Sequence, residues 1–505
     1  MSPAPFTSRT KSVPTHPGRP QHSSLPAPSP SGGAPFLPLP PLAWFFVSSF
    51  DLMPQTMRAL THMTLERQVN DRAPGLFAAL ARSGTLLWSN GVGRARLETP
   101  DAAPHADTQF SIASNTKTFV AVAIMALRDE GKLDLDDDLA RHVPESRHPG
   151  VSIREMLAHV SGMQREPVGD VWDTLQFPNR TELVQGWNEA ERVGRPHSLH
   201  HYSNLCFAML GEVLCRLERA DRWFDVVQRR ILTPLGLTST TLGPRTDGPV
   251  AGAYFVPPWS DVPRPEAQLD DGAFGAAGAL WSTPADLAAW GAFIADPADE
   301  VLSSDTVAEM CEPLVISQAQ WEQAWGLGLM LWRRDGRTWV GHTGAYPGSI
   351  TGVFTHRESA TTALAWANNS AATSPGTLAI DLGSHLLEHE PPQPQPWMPG
   401  TTGPAASEEL LGPWFSEGRS FTFTWCQGRL EARMAGQPDW MGPSVFEDAG
   451  PDRYRTIAGR ERGELLRVDR DEAGQVVSMH WATYLFTRQP LAFGDWLPAH
   501  RTISS

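Results

Sequence analysis

Apolar residues between positions 64 and 390 follow two different spacings. They alternate over Leu76–Val92, with a break at Ser83-Gly84 that predicts a β-hairpin, and Asp335-Gly336 marks a second hairpin. Residues 165–270 show the wider apolar spacing of helices and no strand rhythm. Because strands lie at both ends and helices in the middle, the pattern predicts one α+β domain over residues 64–390, with a sheet that is split in sequence and closed in space.

A second pattern begins after residues 391–404, which we interpret as a proline-rich linker. Short segments of alternating polarity follow it and predict a small all-β domain over residues 405–492, either a sandwich or a barrel. Residues 493–505 are interpreted as a tail. The predicted strands are Ser420–Trp425, Arg429–Met434, Glu464–Val468, Val476–Ala482 and Leu485–Arg488.

Residues 1–60 differ in composition from the rest of the chain. Residues 1–41 are rich in proline, serine and glycine, a composition that buries too little apolar surface to fold. The apolar run Phe36–Phe50 is broken by prolines and is shorter than the ~20 residues that span a bilayer. We therefore predict a disordered leader and no integral membrane span. A cytoplasmic location is favoured, and export stays open if the leader acts as a signal.

Charge and cysteine content narrow the classes of partner. The net charge is −15, the sequence pI is about 5.5, and no basic stripe is visible, which argues against a nucleic-acid partner. The four cysteines form no CxxC pair and no metal-ligand spacing, so we expect free buried thiols, no metal and no cofactor. The expected partner is a small molecule or a short peptide that serves as substrate. The oligomeric state stays open.

The chemistry begins with a serine that is followed three residues later by a lysine. Ser114 and Lys117 precede the apolar run Phe119–Leu133, and residues three apart lie on one face of a helix. Serine needs a neighbouring base to become a good nucleophile, and lysine, unlike arginine, can lose its proton when it is desolvated. Only three of the 41 basic residues are lysines, at positions 11, 117 and 132. An amine therefore has a specific use at position 117, although a helix cap beside a solvated lysine remains the alternative.

Two further motifs follow in order, Tyr202-Ser203-Asn204 and His342-Thr343-Gly344. Together with Ser114-x-x-Lys117, they resemble the serine β-lactamase and penicillin-binding-protein superfamily. The form of the tyrosine motif is similar to the class C β-lactamase branch, which includes DD-peptidase, D-aminopeptidase and esterase relatives. The resemblance covers about residues 64–390 and implies an antiparallel sheet flanked by helices plus an all-helical subdomain.

The resemblance also implies a role for each motif residue. Ser114 would attack an acyl carbon and form an acyl-enzyme, while Lys117 would take its proton or keep Tyr202 partly ionised. Tyr202 would protonate the leaving group and later activate water. Asn204 would hold Lys117 and the substrate amide by hydrogen bonds.

The third motif is expected to orient the substrate, with His342, Thr343, Gly344 and Ala345 as its binding residues. The oxyanion would lie between the backbone amides of Ser114 and Ala345, and Gly344 would let an extended substrate lie along the strand edge. His342 stands where many β-lactamases carry lysine. A neutral imidazole binds a substrate carboxylate less firmly than an ammonium does, which weakens the lactamase assignment.

The sequence therefore predicts a serine hydrolase that acts through a Ser114 acyl-enzyme. The expected substrates are esters or D-amino-acid amides and peptides, as for an esterase, D-aminopeptidase or DD-peptidase. One alternative is a true class C-like β-lactamase. A second is a non-catalytic penicillin-recognising or scaffold protein that keeps the fold.

Overall fold

The computed structural model describes residues 52–99, 102–318, 320–373, 375–393, 397, 399–400, 403–438 and 441–492. The chain forms two compact units whose boundary lies between Pro391 and Pro392. The predicted tail and the first 51 residues of the predicted leader lie outside the described residues. No helix in the described part of the chain is long and apolar enough to cross a bilayer.

Twelve α-helices are formed by the described residues. They are α1 (Pro54–Asn70), α2 (Thr116–Asp129), α3 (Leu139–His142), α4 (Ile153–Leu157), α5 (Val171–Thr174), α6 (Arg180–Glu189), α7 (Asn204–Glu218), α8 (Trp223–Val227), α9 (Pro284–Ala295), α10 (Ser304–Met310), α11 (Pro375–His389) and α12 (Ala405–Glu408). Three 3₁₀ turns, at Ala113–Asn115, Gly272–Ala277 and Arg357–Ser359, and one π-helical turn at Gln228–Leu232 add to them.

Thirteen strands belong to the first unit. They are β1 (Gly75–Arg82), β2 (Thr85–Gly93), β3 (Phe110–Ser111), β4 (Thr241–Leu242), β5 (Tyr254–Phe255), β6 (Arg264–Pro265), β7 (Leu280–Ser282), β8 (Val315–Ile316), β9 (Gln323–Trp325), β10 (Met330–Arg334), β11 (Arg337–Tyr346), β12 (Ser349–His356) and β13 (Thr361–Ala367). The second unit contains β14 (Gly412–Ser416), β15 (Arg419–Cys426), β16 (Arg429–Met434), β17 (Ser444–Asp448), β18 (Arg453–Ala458), β19 (Leu465–Arg470), β20 (Val476–Trp481) and β21 (Tyr484–Phe486).

The first unit is built around an eight-stranded antiparallel sheet with the order β2-β1-β13-β12-β11-β10-β9-β8. Strand β1 pairs with β2 on one side and with β13 on the other. Strands from the two ends of the unit therefore meet inside one sheet, as the sequence pattern predicts. The α+β class and both predicted hairpins, β1–β2 and β10–β11, are confirmed.

The two faces of this sheet belong to two different cores because side chains alternate along each strand. Leu76 and Leu80 pack with residues of α1 and α11, whereas Phe77 lies on the opposite face in a core with α2 and α7. The helical residues between β2 and β8 cover that second face. They form the helical subdomain that the resemblance implies.

Helices α2 and α7 pack against each other at the centre of this subdomain. Eleven of the 14 residues of α2 are buried, since its apolar residues surround the whole helix rather than one face. Helix α7 begins at Asn204 and is capped by Ser203. The Ser203 hydroxyl accepts a hydrogen bond from the backbone amide of Cys206 at 3.1 Å. The Ser203 cap therefore fixes the start of α7, and burial of Thr116, Lys117 and Thr118 encloses the start of α2.

The beginning of the folded region corrects the prediction. The sequence predicts disorder over residues 1–60, but α1 begins at Pro54 and Leu60 is fully buried. The buried positions of α1 are Thr56, Leu60 and Thr64, so only one of the three is apolar. The helix is stabilised by contact with α11, more than 300 residues away along the chain, and its own apolar spacing is too weak to indicate it.

The second unit is a meander of eight antiparallel strands in sequence order. Phe415 and Thr487 exchange two backbone hydrogen bonds of 2.8 and 3.0 Å, which brings the first and last strands together. The predicted all-β class is confirmed, in the form of a near-barrel. Strands β14, β17 and β18 are missing from the prediction because β14 contains glycine and proline and the other two carry few apolar residues.

A pair of leucines on α1 tests whether this helix is part of the folded unit. We expect Leu60→Ala to lower the free energy of unfolding by about 2 to 5 kcal/mol, because it leaves a cavity under the helix. Leu65→Ala, on the same helix but 43% exposed, should change it by less than about 0.5 kcal/mol. Urea unfolding followed by circular dichroism measures both, and equal effects of the two substitutions would contradict the packing of α1.

Candidate active site

A short 3₁₀ turn at Ala113–Asn115 carries Ser114 into the start of α2. Ala113 adopts a left-handed conformation, with φ +47°, which costs an alanine about 1 to 2 kcal/mol. Asn115 fixes the turn, because its side-chain amide donates to Ile112 O at 2.9 Å and to the Thr351 hydroxyl of β12 at 2.8 Å. The serine hydroxyl is thus held in a strained turn that neighbouring strands determine.

Lys117 lies one turn further along α2 and is completely buried. Its Nζ lies 3.1 Å from Ser114 Oγ and donates to the Ala277 carbonyl at 2.5 Å. No carboxylate of the described residues forms an ion pair with it, although the charge of Glu166 acts from a distance. Burial therefore lowers the pKa of Lys117 well below its usual value, and the amine is neutral far more readily than an exposed lysine.

Tyr202 lies immediately before α7 and faces the same amine. The Lys117 Nζ is 5.0 Å from the centroid of the Tyr202 ring. Burial raises the pKa of the Tyr202 phenol, and a hydrogen bond with Ser114 lowers it by a smaller amount. The net effect keeps the phenol protonated, so the free site pairs a readily neutralised amine with a neutral phenol.

The loop that contains His159 holds Tyr202 in place. Ser203 N–H donates to His159 Nδ1 at 3.1 Å, and the His159 ring stacks on the Tyr202 ring with centroids 4.3 Å apart. His159 is itself in the left-handed region, with φ +56°, and is fully buried. Burial and the charge of Lys117 lower the pKa of His159 well below its usual value, so this imidazole is a neutral support for Tyr202.

Asn204 occupies a different environment from the one the sequence predicts. Its side-chain amide donates to Glu166 Oε1 at 2.7 Å, and its backbone amide donates to Arg165 O at 2.7 Å. No hydrogen bond joins it to Lys117 among the described residues. Asn204 thus connects α7 to the loop after His159, and a contact with the substrate amide stays a prediction.

His342 lies on β11 and is buried beside the other motif residues. Its ring centroid is 6.0 Å from that of Tyr202 and 5.1 Å from that of Trp325. Its Nδ1 bonds the carbonyl oxygen of Thr343, so Nδ1 carries the proton and Nε2 is left as an acceptor without a partner in the described residues. Burial and Lys117 lower the pKa of His342 to about 3, so the imidazole is neutral.

The next three residues of β11 lie on alternate faces of the strand. Gly344 packs against the turn before Ser114, and a Cβ there would come within 2.4 Å of Ile112 O. Thr343 faces the other way, with its methyl group against Gly376 of α11. Ala345 is exposed. Gly344 therefore allows β11 to approach the Ser114 turn closely, and the Thr343 side chain does not face this site.

The structure brings Ser114, Lys117, Tyr202 and His342 into one cluster and leaves the side chains of Asn204 and Thr343 outside it. Sequence reasoning missed the Ala277 carbonyl, because any residue type supplies a carbonyl. It also missed Arg165, whose guanidinium carbon is 4.9 Å from the Tyr202 ring centroid, and its neighbour Glu166. The one signal in the sequence is the position of both residues shortly after His159.

The chain is similar to known proteins in sequence and in fold. Residues 61–382 match the family model described as Beta-lactamase, and residues 403–488 match a model described as a domain of unknown function. A curated relative, Beta-lactamase-like protein 2 of Dictyostelium discoideum, is 26% identical over 250 residues. That match covers 47% of this chain and 45% of the relative, so it spans less than half of either protein.

Two solved structures share the fold. One is described as the octameric penicillin-binding protein homologue from Pyrococcus abyssi, with a TM-score of 0.59, 20% identity, and coverage of 85% of this chain and 99% of that chain. The other is a D-stereospecific amidohydrolase from Streptomyces sp., with a TM-score of 0.55, 24% identity, and coverage of 64% and 97%. At these identities the likeness establishes the fold.

Replacement of Gly344 tests the close approach of β11 to the turn that carries Ser114. We expect Gly344→Ala to lower the free energy of unfolding by about 1 to 3 kcal/mol, because the new methyl group displaces Ile112 and Ala113. Gly186→Ala, inside α6, is the control, since its Cβ would meet one side chain at an ordinary contact distance of 3.8 Å. It should raise the free energy of unfolding by up to about 1 kcal/mol. Urea unfolding measures both variants, and an unchanged free energy of unfolding in Gly344→Ala would contradict the packing.

Proposed function

This chain belongs to the Beta-lactamase family, and we propose that it is a serine hydrolase that forms an acyl-enzyme at Ser114. The observation that supports this most strongly is the 3.1 Å separation between Ser114 Oγ and a buried amine that has no carboxylate partner in the described residues. A buried lysine of this kind serves as a base rather than as a cation.

In the first step, Ser114 Oγ attacks the acyl carbon and its proton passes to Lys117. The negative charge that develops on the acyl oxygen is stabilised by the backbone amides of Ser114 and Ala345. The Ala277 carbonyl holds Lys117 at the correct position, because it accepts a hydrogen bond from Nζ at 2.5 Å.

Tyr202 acts as the acid for the leaving group. Its raised pKa means that it enters the reaction as a phenol and has a proton to give. Lys117, now an ammonium, returns a proton to Tyr202. In the second half of the reaction water takes the place of the leaving group, and the same two residues remove its proton and release Ser114.

The neutral state of His342 favours an ester or amide substrate over a β-lactam, which bears a carboxylate. With Nδ1–H donated to Thr343 O, its Nε2 is an acceptor and repels an anionic group. The imidazole would attract a carboxylate only if it carried a second proton. Because the pKa of His342 is about 3, the ring does not carry that proton at neutral pH. We therefore favour esters and D-amino-acid amides, or peptides whose leaving group carries no free carboxylate, with β-lactams and a non-catalytic role as the alternatives.

The pH dependence identifies the base. Activity requires neutral Lys117, so it falls as pH drops through the lowered pKa of that amine. His342, with a pKa of about 3, adds no limb near neutral pH. The profile of kcat/KM for an uncharged ester should show an acid limb with a midpoint well below 10.5, and the midpoint should not move in His342→Asn. Loss of the limb in that variant would show that His342 is the titrating group.

A matched pair of substitutions tests the amine. Lys117→Arg keeps the charge but removes the ability to lose it, so we expect kcat/KM to fall by about 10²- to 10⁴-fold. Lys132→Arg makes the same replacement at a 42% exposed site and should have no effect. Equal turnover by both variants would contradict a role for Lys117 as base.

The substrate class is tested with a chromogenic cephalosporin, a short acyl ester and a D-alanyl anilide. We expect turnover of the ester or anilide, and covalent labelling by a fluorophosphonate probe that disappears in Ser114→Ala. Fast turnover of the cephalosporin alone would identify a β-lactamase. Absence of both turnover and labelling would favour the non-catalytic alternative.

A further inference from the structure

We propose that a cavity of about 660 Å³, lined by Tyr346 at the end of β11, binds the acyl chain of the substrate, and that Asp271 binds a cationic amine carried on that chain. This proposal rests on the proposed function and specifies the substrate of the same site: an ester or amide whose acyl chain ends in an ammonium group.

Two segments of the chain connect the lining of the cavity with the candidate active site. Tyr346 lines the cavity and directly follows Ala345 on β11, on the same face of the strand as His342 and Gly344. Asp271 lines it from the residue before the 3₁₀ turn Gly272–Ala277, whose last carbonyl holds Lys117. Ser111, three residues before Ser114, also lines the cavity.

The direction of the substrate follows from the roles of the catalytic groups. Tyr202 gives its proton to the leaving group and lies beside His342, so the leaving group occupies the His342 side of Ala345. The acyl chain then extends to the other side, past Tyr346. The rings of Phe110, Trp281 and Trp366 line the cavity and suit an apolar chain.

Asp271 is the polar group that determines what such a chain carries. The Tyr346 hydroxyl donates to Asp271 Oδ1 at 2.7 Å, and no basic side chain of the described residues contacts this carboxylate. Burial and the adjacent Asp270 raise the pKa of Asp271 to about 6, so at pH 8 it is an anion without a counter-charge.

Three other carboxylates line the cavity. Glu98 accepts from the Tyr254 hydroxyl at 2.8 Å and is stabilised by Arg96, and Glu266 accepts from the Ser370 hydroxyl. Asp270 is exposed and accepts from the Gly272 backbone amide at 3.2 Å, whereas Asp271 is half-buried. The Tyr346 side chain separates Asp271 from the edge of β11. The cation that Asp271 binds is therefore carried at the end of the acyl chain and not on its α-carbon.

Two esters of equal length provide the test: 4-nitrophenyl 6-aminohexanoate and 4-nitrophenyl heptanoate, which differ in a terminal ammonium or methyl group. We expect the wild-type protein at pH 8 to prefer the aminohexanoate in kcat/KM. Asp271→Asn should reduce that preference by about 10- to 100-fold and change heptanoate turnover by less than about 2-fold. Asp299→Asn removes the same charge at an exposed position outside the cavity and should reduce the preference by less than about 2-fold.

A binding measurement separates this proposal from the proposed function. Calorimetric titration of the full-length Ser114→Ala variant with hexylammonium, compared with hexan-1-ol, needs no turnover and should show binding of the amine alone. The proposal is overturned if the wild-type protein prefers the heptanoate, if Asp271→Asn leaves the preference unchanged, or if Ser114→Ala does not bind hexylammonium. Failure of both esters to react with a protein that does bind hexylammonium would overturn the acyl-enzyme and leave the binding site standing.

Discussion

Burial of one amine without a counter-charge is the constraint on which the rest of this site depends. Moving an ammonium out of water is costly, and Lys117 is compensated in the described residues by a serine hydroxyl and a carbonyl rather than by a carboxylate. The low pKa that results lets the amine lose its proton and gives it the property that the proposed base requires. A carboxylate in contact with Nζ would stabilise the ammonium form of Lys117 and raise its pKa. The amine could then no longer accept a proton.

The surrounding fold supplies what that burial requires. Helix α2 is apolar around its whole circumference and is enclosed by the sheet and α7, which excludes water from the first turn. Strand β11 approaches closely because Gly344 has no side chain, and Ala113 accepts a left-handed conformation so that Ser114 points toward the amine. The strain at Ala113 is local, and the hydrogen bonds of Asn115 to two other segments offset it.

Prediction from sequence succeeds where the signal is a pattern repeated over many residues. The split sheet and its two hairpins follow from apolar alternation and turn residues, and the ordered motifs identify the cluster of Ser114, Lys117 and Tyr202. Prediction fails where a partner distant in sequence decides the outcome. Helix α1 depends on α11, and the carbonyl that holds Lys117 belongs to Ala277, a position at which the side chain carries no information. The tautomer of His342 depends on backbone geometry in the same way.

The protonation state of Lys117 is open to direct observation, because the chain contains only three lysines. Selective isotope labelling of lysine and NMR titration of the ε-methylene and ζ-nitrogen signals, assigned with Lys11→Arg and Lys132→Arg, would report each amine separately. We expect Lys117 to titrate far below 10.5, the ordinary value for a lysine, and Lys132 to titrate above it, because Glu130 and Glu218 stabilise its ammonium form. A Lys117 that titrates near 10.5 would contradict this, since Ser114 would then have an ammonium beside it and no base.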